Sequence, residues 1–158
     1  MQIIKLEHND LIKQDLNLLI NNIYNNFPQL IDVPGVTHSK QTINNTLNNP
    51  EVVLLLAMDK KQIVGYLLAE IITLEDGRKV LFISYLYVAP TMRNKGLGKT
   101  LMNKSFDVAA DNYCDGIMLI YDTTDRQLRK FYGKMNFMLD FNMRKYERHD
   151  VFYKVLIY

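Results

Sequence analysis

The stretch Val88-Ala89-Pro90-Thr91-Met92-Arg93-Asn94-Lys95-Gly96-Leu97-Gly98-Lys99-Thr100 decides how the rest of the chain is read. An apolar run over 80–88 ends, a loop over 89–96 follows, and an amphipathic pattern opens on two glycines. A helix start leaves its first N–H groups without intrahelical partners and carries about half a positive charge. Gly96 and Gly98 lack a Cβ, so a ligand can come close to their backbone. Arg93, Lys95, Lys99 and Lys104 add four positive charges, and residues 89–106 contain no Asp or Glu. Every one of these features favours a phosphate or pyrophosphate.

Upstream, Glu51–Met58, Gln62–Thr73 and Lys79–Val88 read as strands, separated by the turn signals Asp59-Lys60-Lys61 and Glu75-Asp76-Gly77. Short turns between consecutive strands imply an antiparallel meander. Downstream, Leu97, Leu101, Met102, Phe106, Ala109 and Tyr113 form the apolar stripe of a helix over about 97–112. The nearly all-apolar Gly116–Asp122 follows that strand–helix unit and is expected to pair parallel to 80–88. A helix near 125–135 and strands near 137–143 and 150–157 complete the chain. Before residue 51, Leu11, Ile12, Leu16, Leu19, Ile20 and Ile23 predict one helix over 9–25. A loop through Pro28 and Pro34-Gly35 comes next, then a short helix over 40–48 with Ser39 placed to cap it. The fold class is mixed α/β on one sheet.

At 158 residues the chain has the length of one domain, with 48% hydrophobic and 23% charged residues, near the globular average. Nineteen Lys and Arg against seventeen Asp and Glu give +2, too balanced for a dedicated nucleic-acid binder. No apolar stretch approaches the roughly 20 residues of a membrane helix, and Met1–Glu7 has no signal-peptide pattern, so a cytoplasmic protein without a membrane partner is expected. Cys114 is the only cysteine and reads as a small half-buried thiol. His8, His38 and His149 are isolated, read as surface or satisfied side chains, and show no metal-ligand spacing, so no metal is expected. Met135, Met138 and Met143 read as core fillers, and Phe141, Tyr146, Phe152, Tyr153 and Tyr158 mainly as strand patterning. The Arg144–Arg148 segment reads as a solvated basic loop.

Three phosphate-loop patterns compete for 93–100. The dinucleotide pattern G-x-G-x-x-G needs glycine at 101, where Leu101 stands. The nucleotide P-loop finds its tail in Gly98-Lys99-Thr100, but its first glycine falls on Arg93. Its remaining point of agreement is the strand 117–121 closing on Asp122, as a magnesium-holding strand would. The third pattern, [R/Q]-x-x-G-x-G, is filled by Arg93-Asn94-Lys95-Gly96-Leu97-Gly98. On these residues the chain resembles the GNAT family of N-acetyltransferases. Leu86-Tyr87-Val88-Ala89-Pro90 looks like the family's L-x-V-x-P lead-in. Residues 125–137 are similar to its N-x-x-A-x-x-L-Y-x-x-x-G-F motif: Tyr132 and Phe137 match, while Asp125, Leu128 and Asn136 replace Asn, Ala and Gly. The resemblance covers about residues 51–137.

The resemblance implies a single domain over 1–158 with a central mixed, mostly antiparallel sheet flanked by helices. It implies acetyl-CoA as cosubstrate, with its pyrophosphate on the backbone of Arg93, Asn94, Lys95, Gly96, Leu97, Gly98 and Lys99, and Asp125 in the cofactor-binding set. The backbone of Leu86, Tyr87 and Val88 would pair with the pantetheine arm as an added strand and polarise the thioester carbonyl. Acetyl would pass directly to a primary amine of a small molecule or peptide, with Tyr132 as proton donor to the leaving thiolate and no nucleophilic role for Cys114. Some members, polyamine acetyltransferases among them, carry a Glu-Asp pair where this chain has Ser84 and Tyr85. That departure argues against a polyamine acceptor and leaves the base unidentified, with Asp122, Glu70 and Glu75 candidates by type alone. A catalytically silent acyl-CoA-binding module and a P-loop nucleotide binder stay open as alternatives, and a homodimer is compatible with the sequence.

Overall fold

The computed structural model describes residues 1–27, 38–122, 125–139 and 151–157, without the side chains of Asp122, Leu139 and 151–157. The expected loop through Pro28 and Pro34-Gly35, the segment 140–150 with Phe141, Met143, Arg144–Arg148 and His149, and Tyr158 lie outside the described residues.

Seven strands form one sheet in the order β1-β2-β3-β4-β5-β7-β6. They are β1 Gln2–Glu7, β2 Val52–Asp59, β3 Gln62–Thr73, β4 Lys79–Val88, β5 Gly116–Asp122, β6 Met138–Leu139 and β7 Val151–Ile157. All neighbours are antiparallel except β4 and β5, which are parallel, as the strand–helix–strand pattern predicts. The helices are α1 His8–Leu11, α2 Asn17–Asn26, α3 Lys40–Leu47, α4 Leu97–Asp111 and α5 Arg126–Lys134.

The central strands are apolar on both faces because both faces are covered. Val53, Leu55 and Ala57 of β2 join Leu97, Leu101 and Met102 of α4 and Tyr132 of α5 in one core. Val52 and Leu54 face the other way, onto Leu19, Ile20 and Ile23 of α2 and Ile43 and Leu47 of α3. The β2–β3 hairpin turns on Lys60 (φ 48°) and Lys61 (φ 65°), the left-handed pair that matches strand twist in a two-residue loop. Ser39 caps α3 by accepting from the Thr42 N–H at 3.1 Å.

The N-terminal region differs from its expected single helix. Gln2–Glu7 pairs with β2 as an edge strand, and helix 9–25 is broken into α1 and α2. At the break the Asp15 carboxylate accepts from the Asn17 N–H at 3.0 Å, a local bond that competes with continuous helix. Leu11, Leu19, Ile20 and Ile23 stay on the buried stripe, while Ile12 is 54% exposed. Two smaller corrections follow from the same geometry. Pro90–Met92 forms a 3-10 turn inside the loop expected over 89–96, and Met138 points outward rather than filling the core.

Candidate functional site

The site begins where β4 and β5 part. They pair only from Val80 opposite Gly116 to Ile83 opposite Leu119. Beyond that, β5 continues against β7 and β4 continues against β3. The β4 edge from Ser84 to Val88 therefore has no β5 partner. A bulge sits at the fork: Leu68 of β3 pairs with Tyr85 and Ala69 with Ile83, leaving Ser84 as the extra residue. The bulge keeps Ile83, Leu86 and Val88 on the α4 face and turns Tyr85 and Tyr87 to the α2–α3 face.

The loop after β4 leads into the mouth of α4. Asn94 (φ 60°) and Gly96 (φ 84°) are both left-handed, a backbone form that turns successive N–H groups to one side. Gly96 is the N-cap and contributes no side-chain bond. The first helical bond runs from the Thr100 N–H to the Gly96 carbonyl at 3.0 Å, so the amides of Leu97, Gly98 and Lys99 have no intrahelical acceptor. Arg93 Nε donates to the Val88 carbonyl at 2.9 Å and ties the loop to the end of β4. Lys95 and Lys99 are exposed at the mouth, while the Leu97 side chain is buried in the core, leaving only its backbone available to a ligand. A Cβ on Gly98 would stand 3.5 Å from the Phe131 ring and 3.7 Å from Val88, so α4, α5 and β4 converge here.

Asp125 is the N-cap of α5: its Oδ1 accepts from the amides of Gln127 (3.0 Å) and Leu128 (3.1 Å). Tyr132 is buried beside Tyr121 of β5 (ring centroids 5.5 Å), Phe131 (5.1 Å) and Phe137 (5.6 Å). Burial, with Tyr121 adding to it, pushes the Tyr132 phenol well above its ordinary range, so it is a protonated hydroxyl at neutral pH. Asn136 holds φ 66°, as a residue in place of the motif glycine must. The structure thus brings the end of β4, the 93–99 loop and α5 together.

The carboxylates named by type fare differently. Glu70 accepts from Asn49 Nδ2 at 2.6 Å. Glu75 lies in the β3–β4 turn, and the Asp122 side chain is outside the described residues. Cys114 is buried, and burial raises its thiol. Among the described residues no three metal-ligating side chains cluster, and no helix is long and apolar enough to cross a membrane.

The structure brings together a second set of side chains that the sequence reading left separate. On the α2–α3 face of the open β4 edge stand Tyr24, Phe27, His38, Tyr66, Tyr85 and Tyr87. Phe27 lies 4.8 Å from Tyr85 and 6.3 Å from Tyr87, and Tyr66 stacks on Tyr87 at 5.1 Å. The Tyr66 hydroxyl is fully buried, without a hydrogen-bond partner among the described residues. Alternation places Tyr85 and Tyr87 on one face, but the contact with Phe27 and His38 is long-range and leaves no local signal.

The sequence profile of the acetyltransferase (GNAT) family matches residues 20–137. The chain belongs to this family. Solved structures agree on its fold. The NatC complex bound to Gag peptide and CoA contains a chain 18% identical, with a TM-score of 0.74, covering 100% of this chain and 99% of that one. NAA60 of Arabidopsis thaliana in complex with acetyl-CoA is 17% identical, with a TM-score of 0.67 and coverage of 99% and 97%. An aminoglycoside acetyltransferase from an uncultured soil metagenomic sample is 18% identical, with a TM-score of 0.63 and coverage of 84% and 85%. No curated protein sequence matches this GNAT chain significantly.

Proposed function

We propose that this GNAT chain moves acetyl from acetyl-CoA directly to a primary amine of a peptide or small molecule. The observation that carries the reading is the open β4 edge, 84–88, joined by the 89–96 loop to the uncapped mouth of α4. An extended pantetheine arm fits beside the edge as an added strand would, and a pyrophosphate fits the amides of 94–99 with Arg93, Lys95 and Lys99 around it. The outward amides of Leu86 and Val88, the alternate residues whose N–H groups turn away from β3, supply donors to the thioester oxygen as negative charge develops there. The protonated Tyr132 phenol gives its hydrogen to the departing thiolate. Asp125 serves this arrangement by fixing the start of α5 through Oδ1, and its place in the cofactor-binding set rests on Oδ2. The neighbours include a complex bound to a peptide and an aminoglycoside enzyme, which supports keeping both acceptor classes.

Isothermal titration with acetyl-CoA followed by thiol release against peptides, aminoglycosides, amino acids and polyamines tests the reading. Micromolar binding with thiol release from an amine supports it. No binding at millimolar acetyl-CoA overturns it, and binding without thiol release from any amine makes the chain a silent acyl-CoA module.

A further inference from the structure

On the opposite face of the fork from Tyr132, the Tyr85 hydroxyl and His38 Nδ1 are 2.7 Å apart. His38 Nε2 lies 2.9 Å from the Tyr24 carbonyl oxygen. A carbonyl only accepts, so Nε2 carries the hydrogen; Nδ1 of the neutral ring then accepts from the Tyr85 O–H. The imidazole also stacks on the Tyr24 ring, at 5.2 Å and 9° between planes. Two elements far apart in sequence thus fix one tautomer, and the site left for a further proton is Nδ1, reached through Tyr85. Tyr85 follows the bulged Ser84, at the point where β4 leaves β5. It is half-buried on the α2–α3 face of the open edge, where an acceptor docked on that face would meet it beside a thioester lying along the edge.

Resting on the acetyltransferase reading, we propose that Tyr85 is the catalytic residue that takes the acceptor's proton, with His38 behind it as the relay that stores that proton. The acceptor arrives as R–NH3⁺. Tyr85 Oη accepts one N–H hydrogen while its own crosses to His38 Nδ1, leaving an imidazolium with Nε2–H still on the Tyr24 carbonyl. The amine lone pair then attacks the thioester carbon, the C–N bond forms and the C–S bond breaks. Tyr132 gives its hydrogen to sulfur and regains one from the nitrogen. Of three ammonium hydrogens, one stays on the amide, one reaches the thiol by way of Tyr132, and one leaves His38 for solvent.

Burial pushes the Tyr85 phenol up to about 12, so it relays a hydrogen instead of resting as a phenolate. Among the described residues, the titratable groups facing the pair are Tyr24 of α2, Lys40 of α3, Tyr66 of β3 and Tyr87 of β4. Lys40 Nζ stands 5.5 Å from the Tyr24 ring centre.

The test uses the full chain, acetyl-CoA and three amines: a tetrapeptide with a free N-terminus, kanamycin and phenethylamine. His38→Gln keeps an acceptor for Tyr85 and a donor for the Tyr24 carbonyl but does not take up a proton. In His38→Gln and in Tyr85→Phe, kcat with the fastest amine falls about 100-fold at pH 7, the usual scale for a lost proton acceptor. The KM for acetyl-CoA stays within twofold, and the double variant is no slower than the worse single one. The deficit shrinks between pH 7 and 9.5, because solution then supplies neutral amine, with a free α-amine titrating at about 7.7–8. Activity within threefold of the parent in both variants, or a deficit unchanged with pH, overturns the proposal while leaving acetyl transfer intact. A parent chain that binds acetyl-CoA but releases no thiol with any of the three amines overturns both. Should Tyr85→Phe melt early, His38→Gln alone decides.

Discussion

Gly65 of β3 lies so close to the Tyr87 carbonyl of β4 that a Cβ there would be 2.9 Å from that oxygen and 3.1 Å from Leu97 Cδ2. The carbonyl is backbone and does not swing aside. Gly65 therefore lets the end of β4 and the first turn of α4 pack against the same point of the sheet. Gly65→Ala is expected to destabilise the fold by about 1–3 kcal/mol, the scale of core overpacking. It should also weaken acetyl-CoA binding, because Tyr87 belongs to the proposed pantetheine edge. Urea unfolding and isothermal titration on the variant measure both, and an unchanged midpoint would refute the close approach.

The two loop glycines separate backbone strain from ligand contact. Gly96 sits at φ 84° with open space where a Cβ would go, so Gly96→Ala costs strain of about 1 kcal/mol and re-aims the amides of α4. A Cβ on Gly98 meets Phe131 and Val88 at ordinary contact distances, so Gly98→Ala leaves the fold's stability near that of the parent. Acetyl-CoA affinity falls in both. Retained affinity in Gly98→Ala, measured by titration, would move the pyrophosphate elsewhere.

The same contrast marks what sequence alone conveys. The 93–98 loop, its strand and its helix are contiguous, so charge, glycine spacing and amphipathic period expose them directly. The parallel β4–β5 pair follows from the handedness and length of the connection. Ser84 interrupts the apolar run 80–88, but a lone hydroxyl does not by itself show that the alternation slips there. The Tyr85–His38 bond joins residues 47 apart and depends on how α2 and α3 dock. The edge strand β1 was missed because Gln2–Glu7 is short and mixed in polarity; its pairing comes from the exposed edge of β2.

Tyr66 offers a test in the stabilising direction. Its hydroxyl is buried and unpartnered among the described residues, a state that costs roughly 1–3 kcal/mol relative to a satisfied group. Tyr66→Phe removes the orphan and keeps the ring stack on Tyr87. The melting temperature should rise by a few degrees. A fall of similar size would mean that the hydroxyl has a partner in solution.

Stability should fall on the alkaline side. Burial raises the phenols of Tyr66, Tyr85 and Tyr132 in the folded chain above the ordinary value of 10.0, Tyr85 to about 12. Unfolded phenols ionise first, so the stability linked to these groups is complete below pH 10 and is lost as pH rises through the folded values. Calorimetry between pH 8 and 12 should show these groups adding no slope below pH 10 and a decline above it. Absorbance of tyrosinate should show a late-ionising class that merges with the rest on unfolding. A Tm unchanged to pH 12 would refute the burial of these hydroxyls.

Tyr132 separates a packing role from a chemical one. Its ring is wedged among Tyr121, Phe131 and Phe137, and phenylalanine keeps that shape. Tyr132→Phe should therefore melt within a few degrees of the parent and bind acetyl-CoA with unchanged affinity. If the phenol hydrogen reaches the departing thiolate, kcat falls by 10²–10⁴. A more acidic leaving thiol needs less help, so an acyl donor built on such a thiol should restore part of the loss in the variant and add little to the parent. Stopped-flow thiol release with the two donors measures the ratio. Equal kcat in Tyr132→Phe would reduce the residue to a core side chain and leave the thiolate to be protonated by water.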